Sequence, residues 1–143
     1  MTLDTLVARE QIKELRARYF RAVDCKQWAA FGQLFLPGAV LDLTDDLGRK
    51  LQGRDAIVQF VAAGLDGVIS VHHGHMPEIV VSSPSRATGI WAMEDRLFWE
   101  AASGMPPRLL HGYGYYHDSY VRIDGVWQFE SVVLRRIRVE RSA

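Results

Sequence analysis

After Gly67 the sequence changes its period, and this change constrains the fold more than any other feature. Four long β-type runs follow, at residues 68–82, 87–99, 109–123 and 126–139, separated by clusters of Pro, Gly or Ser. The second and third exceed the usual strand of roughly 5 to 6 residues, which predicts long antiparallel strands that twist or bulge. Asp124-Gly125, between Ile123 and Val126, predicts a tight hairpin with a turn of the primed kind.

Ahead of Gly67 the pattern is helical. Ile12, Leu15, Tyr19 and Ala22 recur at spacings of three and four, with Lys13, Glu14, Arg16, Arg18 and Arg21 between them, so a first amphipathic helix starts from Asp4 or Thr5 as N-cap. Trp28, Phe31, Leu34 and Phe35 predict a second, shorter helix that Pro37-Gly38 terminates. A strand is expected at residues 39–43 and a polar turn at 44–48; Gly53-Arg54-Asp55 then opens a third helix carrying Ile57, Phe60 and Val61 on one side. Helices first and strands afterwards is an α+β order. The expected architecture is a curved, cone-like mixed or antiparallel sheet with three N-terminal helices on one face, leaving a concave, partly apolar pocket.

A chain of 143 residues with 48% hydrophobic and 24% charged residues fits one globular domain, spanning 1–143. Lys plus Arg and Asp plus Glu are 17 each, so no basic excess points to nucleic acid. The one cysteine, Cys25, has no intrachain partner, and no zinc-type spacing occurs. Residues 1–10 lack the apolar core of a signal peptide, and no stretch approaches the ~18 apolar residues of a spanning helix. These features predict a cytoplasmic protein with no membrane partner, and the neutral surface favours association.

The run 87–99 is the most informative for chemistry. Ala87, Gly89, Trp91, Met93, Asp95, Leu97 and Trp99 share one face, and on it Asp95 is the lone polar side chain. Apolar neighbours favour the neutral form of such a carboxyl and penalise it unless it is paired. The readings that follow are a pocket acid walled by Trp91, Met93, Leu97 and Trp99, or a structural residue, either at a β-bulge that flips the register or held by a partner such as an arginine of the last strand.

His72, His73 and His75 cluster at a strand start, where one of them is a candidate general base or acid. His73 and His75 share a face, but no third ligand follows at a recognisable spacing, so a metal is not expected. Tyr19 sits on the apolar stripe of the first helix with a hydroxyl that needs a partner. Asp24 lies five residues on, about 140 degrees around the helix, and the pattern alone does not select it. His111, Tyr113, Tyr115 and His117 alternate opposite Gly112, Gly114 and Tyr116, a stripe suited to a pocket or, preferably, a subunit interface. The glycines suggest close packing or a bend. Arg135, Arg136, Arg138 and Arg141 form a basic run suited to ion pairing.

The segment Ala17-Arg18-Tyr19-Phe20-Arg21-Ala22-Val23-Asp24, the 28–35 helix, Ser70-Val71-His72, the 91–97 strand and Ile123-Asp124-Gly125-Val126-Trp127 together resemble the SnoaL-like branch of the nuclear transport factor 2-like superfamily. The resemblance covers nearly the whole chain. Within that branch the chain is most similar to three cofactor-independent eliminating types: bile acid 7α-dehydratases, scytalone dehydratases and γ-hexachlorocyclohexane dehydrochlorinases. The resemblance implies an Asp at the end of helix one paired with a strand His, matching Asp24 and His72. The bile acid dehydratase pattern adds a Tyr five residues before that Asp and an Asp 23 residues after that His, matching Tyr19 and Asp95. It selects His72 over His73 and His75.

Departures limit the transfer. A second histidine of the scytalone type falls near Leu97; the dehydrochlorinase lysine falls on Tyr19 and its last-strand arginine near Val132, which disfavours dehalogenation. The superfamily also hosts isomerases, cyclases, epoxide hydrolases and binding proteins, so the fold does not fix the reaction. The resemblance implies a lyase or isomerase for an apolar cyclic molecule of steroid, terpenoid or polyketide type, working without cofactor as a homotrimer or dimer. In this reading His72 takes a proton, Asp24 orients it, Tyr19 donates to an enolate oxygen and a neutral Asp95 protonates the departing hydroxyl. The alternative is a non-catalytic module for apolar ligands or oligomerisation, in which the same four residues form a residual polar network.

Overall fold

The computed structural model describes residues 1–142. Ten elements follow in order: α1 Leu3–Asp24, α2 Trp28–Gln33, β1 Phe35–Leu43, α3 Thr44–Leu47, β2 Arg49–Gln52, α4 Arg54–Gly64, β3 Val68–Ser83, β4 Arg86–Trp99, β5 Arg108–Ile123 and β6 Val126–Arg141. The six strands make one mixed sheet in the order β2-β1-β6-β5-β4-β3. β1 runs parallel to β6 and all other neighbours are antiparallel. The sheet is open, with β2 and β3 as edges.

The helices number four rather than three. Thr44–Leu47, expected as a polar turn, closes one helical turn because the Asp42 carboxylate accepts the Thr44 N–H at 2.9 Å and Gly48 ends it at φ 67°. Leu34 to Pro37 do not continue α2: the helix stops at Gln33 and β1 begins at Phe35, while the short β2 pairs with the end of β1. The N-cap of α1 is Thr2, not Asp4 or Thr5, because the Thr2 hydroxyl accepts the Thr5 N–H at 3.1 Å. The long strands lie within two residues of the ranges read from the sequence. Asp124 and Gly125 both hold positive φ, at 50° and 78°, and close the β5–β6 hairpin.

The core lies between the inner sheet face and the helices, where Ile12, Leu15, Tyr19 and Val23 of α1 meet Phe31, Phe35 and Phe129. One stripe position departs from its sequence reading. Arg16, placed among the polar residues of α1, is fully buried; its guanidinium donates to Asp118 at 2.7 Å and lies 3.8 Å from the centre of the Tyr116 ring. Asp118 also accepts from the Tyr120 hydroxyl at 2.7 Å, and Tyr120 in turn accepts from the Trp91 indole at 3.0 Å. Burial works against the Arg16 charge, but Asp118 and the surrounding tyrosines outweigh it and raise its pKa. Among the described residues, no helix is long and apolar enough to cross a membrane.

Candidate functional site

The site is assembled by the end of α1. Its last turn closes with Lys26 N–H bonding to the Val23 carbonyl at 3.1 Å and Gln27 N–H to the Ala22 carbonyl at 2.8 Å, which puts Lys26 in the left-handed region at φ 56°. From there the Lys26 ammonium reaches the carbonyl of Val68 at 2.6 Å and that of Leu65, tying the helix end to the start of β3. Asp24 thus stands directly against β3. Its carboxylate accepts the His72 backbone N–H at 2.8 Å and the Ser70 hydroxyl at 3.0 Å, and lies 2.7 Å from His72 Nδ1. A carboxylate at that nitrogen makes Nδ1 the protonated one and leaves Nε2 as the free acceptor. Phe20 stacks beside the imidazole, with planes 13° apart.

His72 opens on a cavity of about 300 Å³ between the inner sheet face, α1 and α4. Tyr19, Asp95, Leu97 and Trp99 line it with His72, and Asp24 stands behind the imidazole. Two expected wall residues do not line it: Trp91 is buried and bonded to Tyr120, and Met93 lies beneath the Arg136 guanidinium. Phe60 and Val61 of α4 supply that wall from the other side. A second hollow of about 440 Å³, near the N-terminus of α1, holds none of the candidate residues.

Asp95 is buried on the inner face of β4, where it faces a guanidinium. Arg136 of β6 donates to both of its oxygens, at 2.7 and 3.0 Å, in a bidentate pairing that fixes the orientation of both groups. Asp95 thus lines the cavity and is at the same time paired with an arginine of the last strand. The same guanidinium donates to Asp46 of α3 at 3.2 Å, and Asp45 accepts the Arg136 backbone N–H at 2.7 Å. Burial opposes the Arg136 charge, yet bonds to Asp95 and Asp46 raise its pKa. A last-strand cation therefore reaches the cavity from position 136, while Val132, the position implied by the dehydrochlorinase pattern, is buried in the core.

Two cavity residues escape the sequence reading. Arg136 looks like one of several surface cations, and only the register of β6 turns it inward. Tyr116 joins Tyr19 on the cavity floor, their rings 6.0 Å apart, whereas the period-two pattern of β5 had already set it opposite the His/Tyr stripe. That stripe lies on the outer face. There Glu94 bridges His75 and His111 at 3.0 Å each, and Tyr113 lies 3.2 Å from His111. Half-exposed His75 and exposed His73 are thus on the far side of the sheet from His72. Among the described residues, no three His, Cys, Asp or Glu side chains are arranged to hold a metal ion.

The SnoaL-like domain family profile matches residues 4–133. Among solved structures, a hexachlorocyclohexane dehydrochlorinase, LinA type 2, superposes with a TM-score of 0.84 at 20% identity over 99% of this chain and 93% of its own. A scytalone dehydratase-like protein of Novosphingobium aromaticivorans DSM 12444 gives 0.84 at 22% identity, covering 98% and 91%. The Kfla4162 protein of Kribbella flavida gives 0.88 at 20% identity, covering 95% of each chain. At these identities the structural likeness establishes the fold alone.

Proposed function

The chain belongs to the SnoaL-like domain family, and from that premise we propose that it is a cofactor-independent lyase or isomerase acting on an apolar cyclic small molecule of steroid, terpenoid or polyketide type. The observation that carries this reading is the 2.7 Å contact of His72 Nδ1 with Asp24, on an imidazole that lines an apolar-walled cavity. A filled interior, or His72 turned to the outer face, would have favoured a non-catalytic binding module.

His72 Nε2 abstracts a proton from carbon next to a carbonyl, and Asp24 stabilises the imidazolium that forms. Tyr19 donates to the oxygen that gains charge as the enolate develops. The proton then passes from His72 either to a departing hydroxyl, so that water leaves, or to another carbon, so that a double bond moves. Neither route needs a second acid. Asp95, tied to Arg136, is therefore assigned to positioning: the pair holds a polar group of the substrate against the wall of the cavity.

The test is a panel of cyclic β-hydroxy ketones followed by the ultraviolet absorbance of the enone that dehydration produces. Turnover that is lost in both His72→Ala and Asp24→Asn supports the reading. Near-normal turnover in either variant on a found substrate overturns it.

A further inference from the structure

A buried tyrosine hydroxyl ordinarily finds a partner, since an unmatched one costs free energy. Tyr120 obeys this rule, bonded to Asp118 and Trp91. Tyr116, four residues earlier on the same face of β5 and 3% exposed, does not: among the described residues its hydroxyl has no partner, yet it is not enclosed by protein, and the residue lines the cavity. Tyr19 is similar. The polar group beside it is the Arg16 guanidinium, 4.3 Å from the ring centre, which only donates, and among the described residues the Tyr19 hydroxyl proton has no acceptor. Two phenol donors without acceptors therefore face one cavity, on rings 6.0 Å apart.

We propose that Tyr116 is a second substrate-contacting donor, which joins Tyr19 in holding the oxygen that becomes negatively charged as His72 removes the proton. This rests on the reading of His72 and Tyr19 given above and adds a residue to it. The buried guanidinium of Arg16, 3.8 Å from the Tyr116 ring centre and 4.3 Å from that of Tyr19, favours negative charge on both phenols and on an oxygen bonded to them. Burial is the larger influence and raises the Tyr116 pKa well above its ordinary value, with Tyr19 adding to it and Arg16 and Arg136 opposing. Tyr116 accordingly stays protonated and donates. Two donors on one oxygen select a ligand whose reacting oxygen is a carbonyl or phenol on an apolar ring, not a bare hydrocarbon.

The experiment uses 2-naphthol as a stand-in for an enolate on a fused ring, and naphthalene as the same shape without the oxygen, both titrated by fluorescence at pH 7. The wild-type protein is expected to bind 2-naphthol about tenfold more tightly than naphthalene, and Tyr116→Phe to lose about five- to tenfold for 2-naphthol and nothing for naphthalene. Tyr116→Phe should also melt at or above the wild-type temperature, because it removes a hydroxyl that bonds to nothing in the fold. Unchanged 2-naphthol affinity in Tyr116→Phe, with a loss in Tyr19→Phe, overturns the role of Tyr116 and leaves that of Tyr19 standing. No loss in either variant overturns both donor roles. Wild-type protein that binds 2-naphthol no better than naphthalene, or binds neither, overturns the paired donors while the His72–Asp24 test remains separate. A lowered melting temperature in Tyr116→Phe means that the hydroxyl is used inside the fold and overturns the proposal too.

Discussion

Arg136 of β6 reaches Asp95 of β4 by crossing over β5 at Gly112, and it closes two hydrogen bonds of 2.7 and 3.0 Å on the far side. The crossing exists because Gly112 has no side chain: a Cβ there would lie inside contact distance of both Arg136 Nη1 and Asp95 Oδ1. Gly112→Ala should therefore displace the ion pair that lines the cavity and leave the strand in place. A displacement of about 1 Å at a positioning group costs about 10²-fold in kcat/KM, whereas overpacking costs about 1 to 3 kcal/mol of stability. Kinetics on a found substrate, with urea unfolding alongside, check this; unchanged kcat/KM in a stably folded Gly112→Ala protein would show that the pair plays no part in positioning.

Asp24 serves His72 twice, through the backbone N–H at 2.8 Å and through Nδ1 at 2.7 Å. Asp24→Asn keeps the shape but presents an amide that favours the wrong tautomer and does not stabilise an imidazolium. His72→Ala removes the base itself. Losses of about 10²- to 10⁴-fold in kcat are expected for each, and the double variant should be little worse than the worse single one, since the two act as a unit. Additive losses would mean that Asp24 works independently of His72.

The contrast between Asp95 and Asp24 shows how far the sequence reaches. Period two on β4 places Asp95 among buried apolar residues, and the structure finds it there, because strand side chains alternate regardless of tertiary context. Its partner is not legible there, since Arg136 sits two strands away and its inward turn depends on the irregularity of β6 opposite Ser119 and Tyr120, which moves the inward set from Trp127 and Phe129 to Val132, Leu134 and Arg136. Asp24 carries no periodic signal at all; a helix end and an αL lysine bring it to β3, and only family resemblance pointed to it. Arg16 misleads for a related reason. A charged residue in a helical stripe reads as solvated, and nothing local announces the aspartate on β5, over a hundred positions on, that lets it be buried.

That buried pair makes a sharp stability prediction. The Arg16 and Asp118 side chains are each wholly enclosed, and among the described residues Arg16 Nε and Nη1 have no hydrogen-bond partner, so the charge depends on Asp118 and on the aromatic rings around it. Removing one partner strands the other, at a cost of about 3 to 5 kcal/mol. Arg16→Met and Asp118→Leu should each lower the urea midpoint strongly, while the double variant recovers much of the loss because no charge is left buried. Single variants within about 1 kcal/mol of wild type would contradict the pairing.

On the outer face the prediction concerns pH. Hydrogen bonds from His75, then His111, hold the Glu94 carboxyl below its ordinary pKa. A depressed carboxyl pKa stabilises the fold above the unfolded value, about 4.3, and that stability is lost as pH falls through the lower folded value. Wild type should thus exceed Glu94→Gln by a constant margin at pH 5 to 6, and the margin should shrink below about pH 4. Glu94 is 27% exposed and His75 53%, so solvent screens the pair and the margin is small and shrinks with added salt. Urea midpoints of both proteins from pH 3 to 6 at low salt measure it. A margin that persists undiminished at pH 3, or that is absent at pH 6, would remove Glu94 as the carboxylate that joins β3 to β5 across this face.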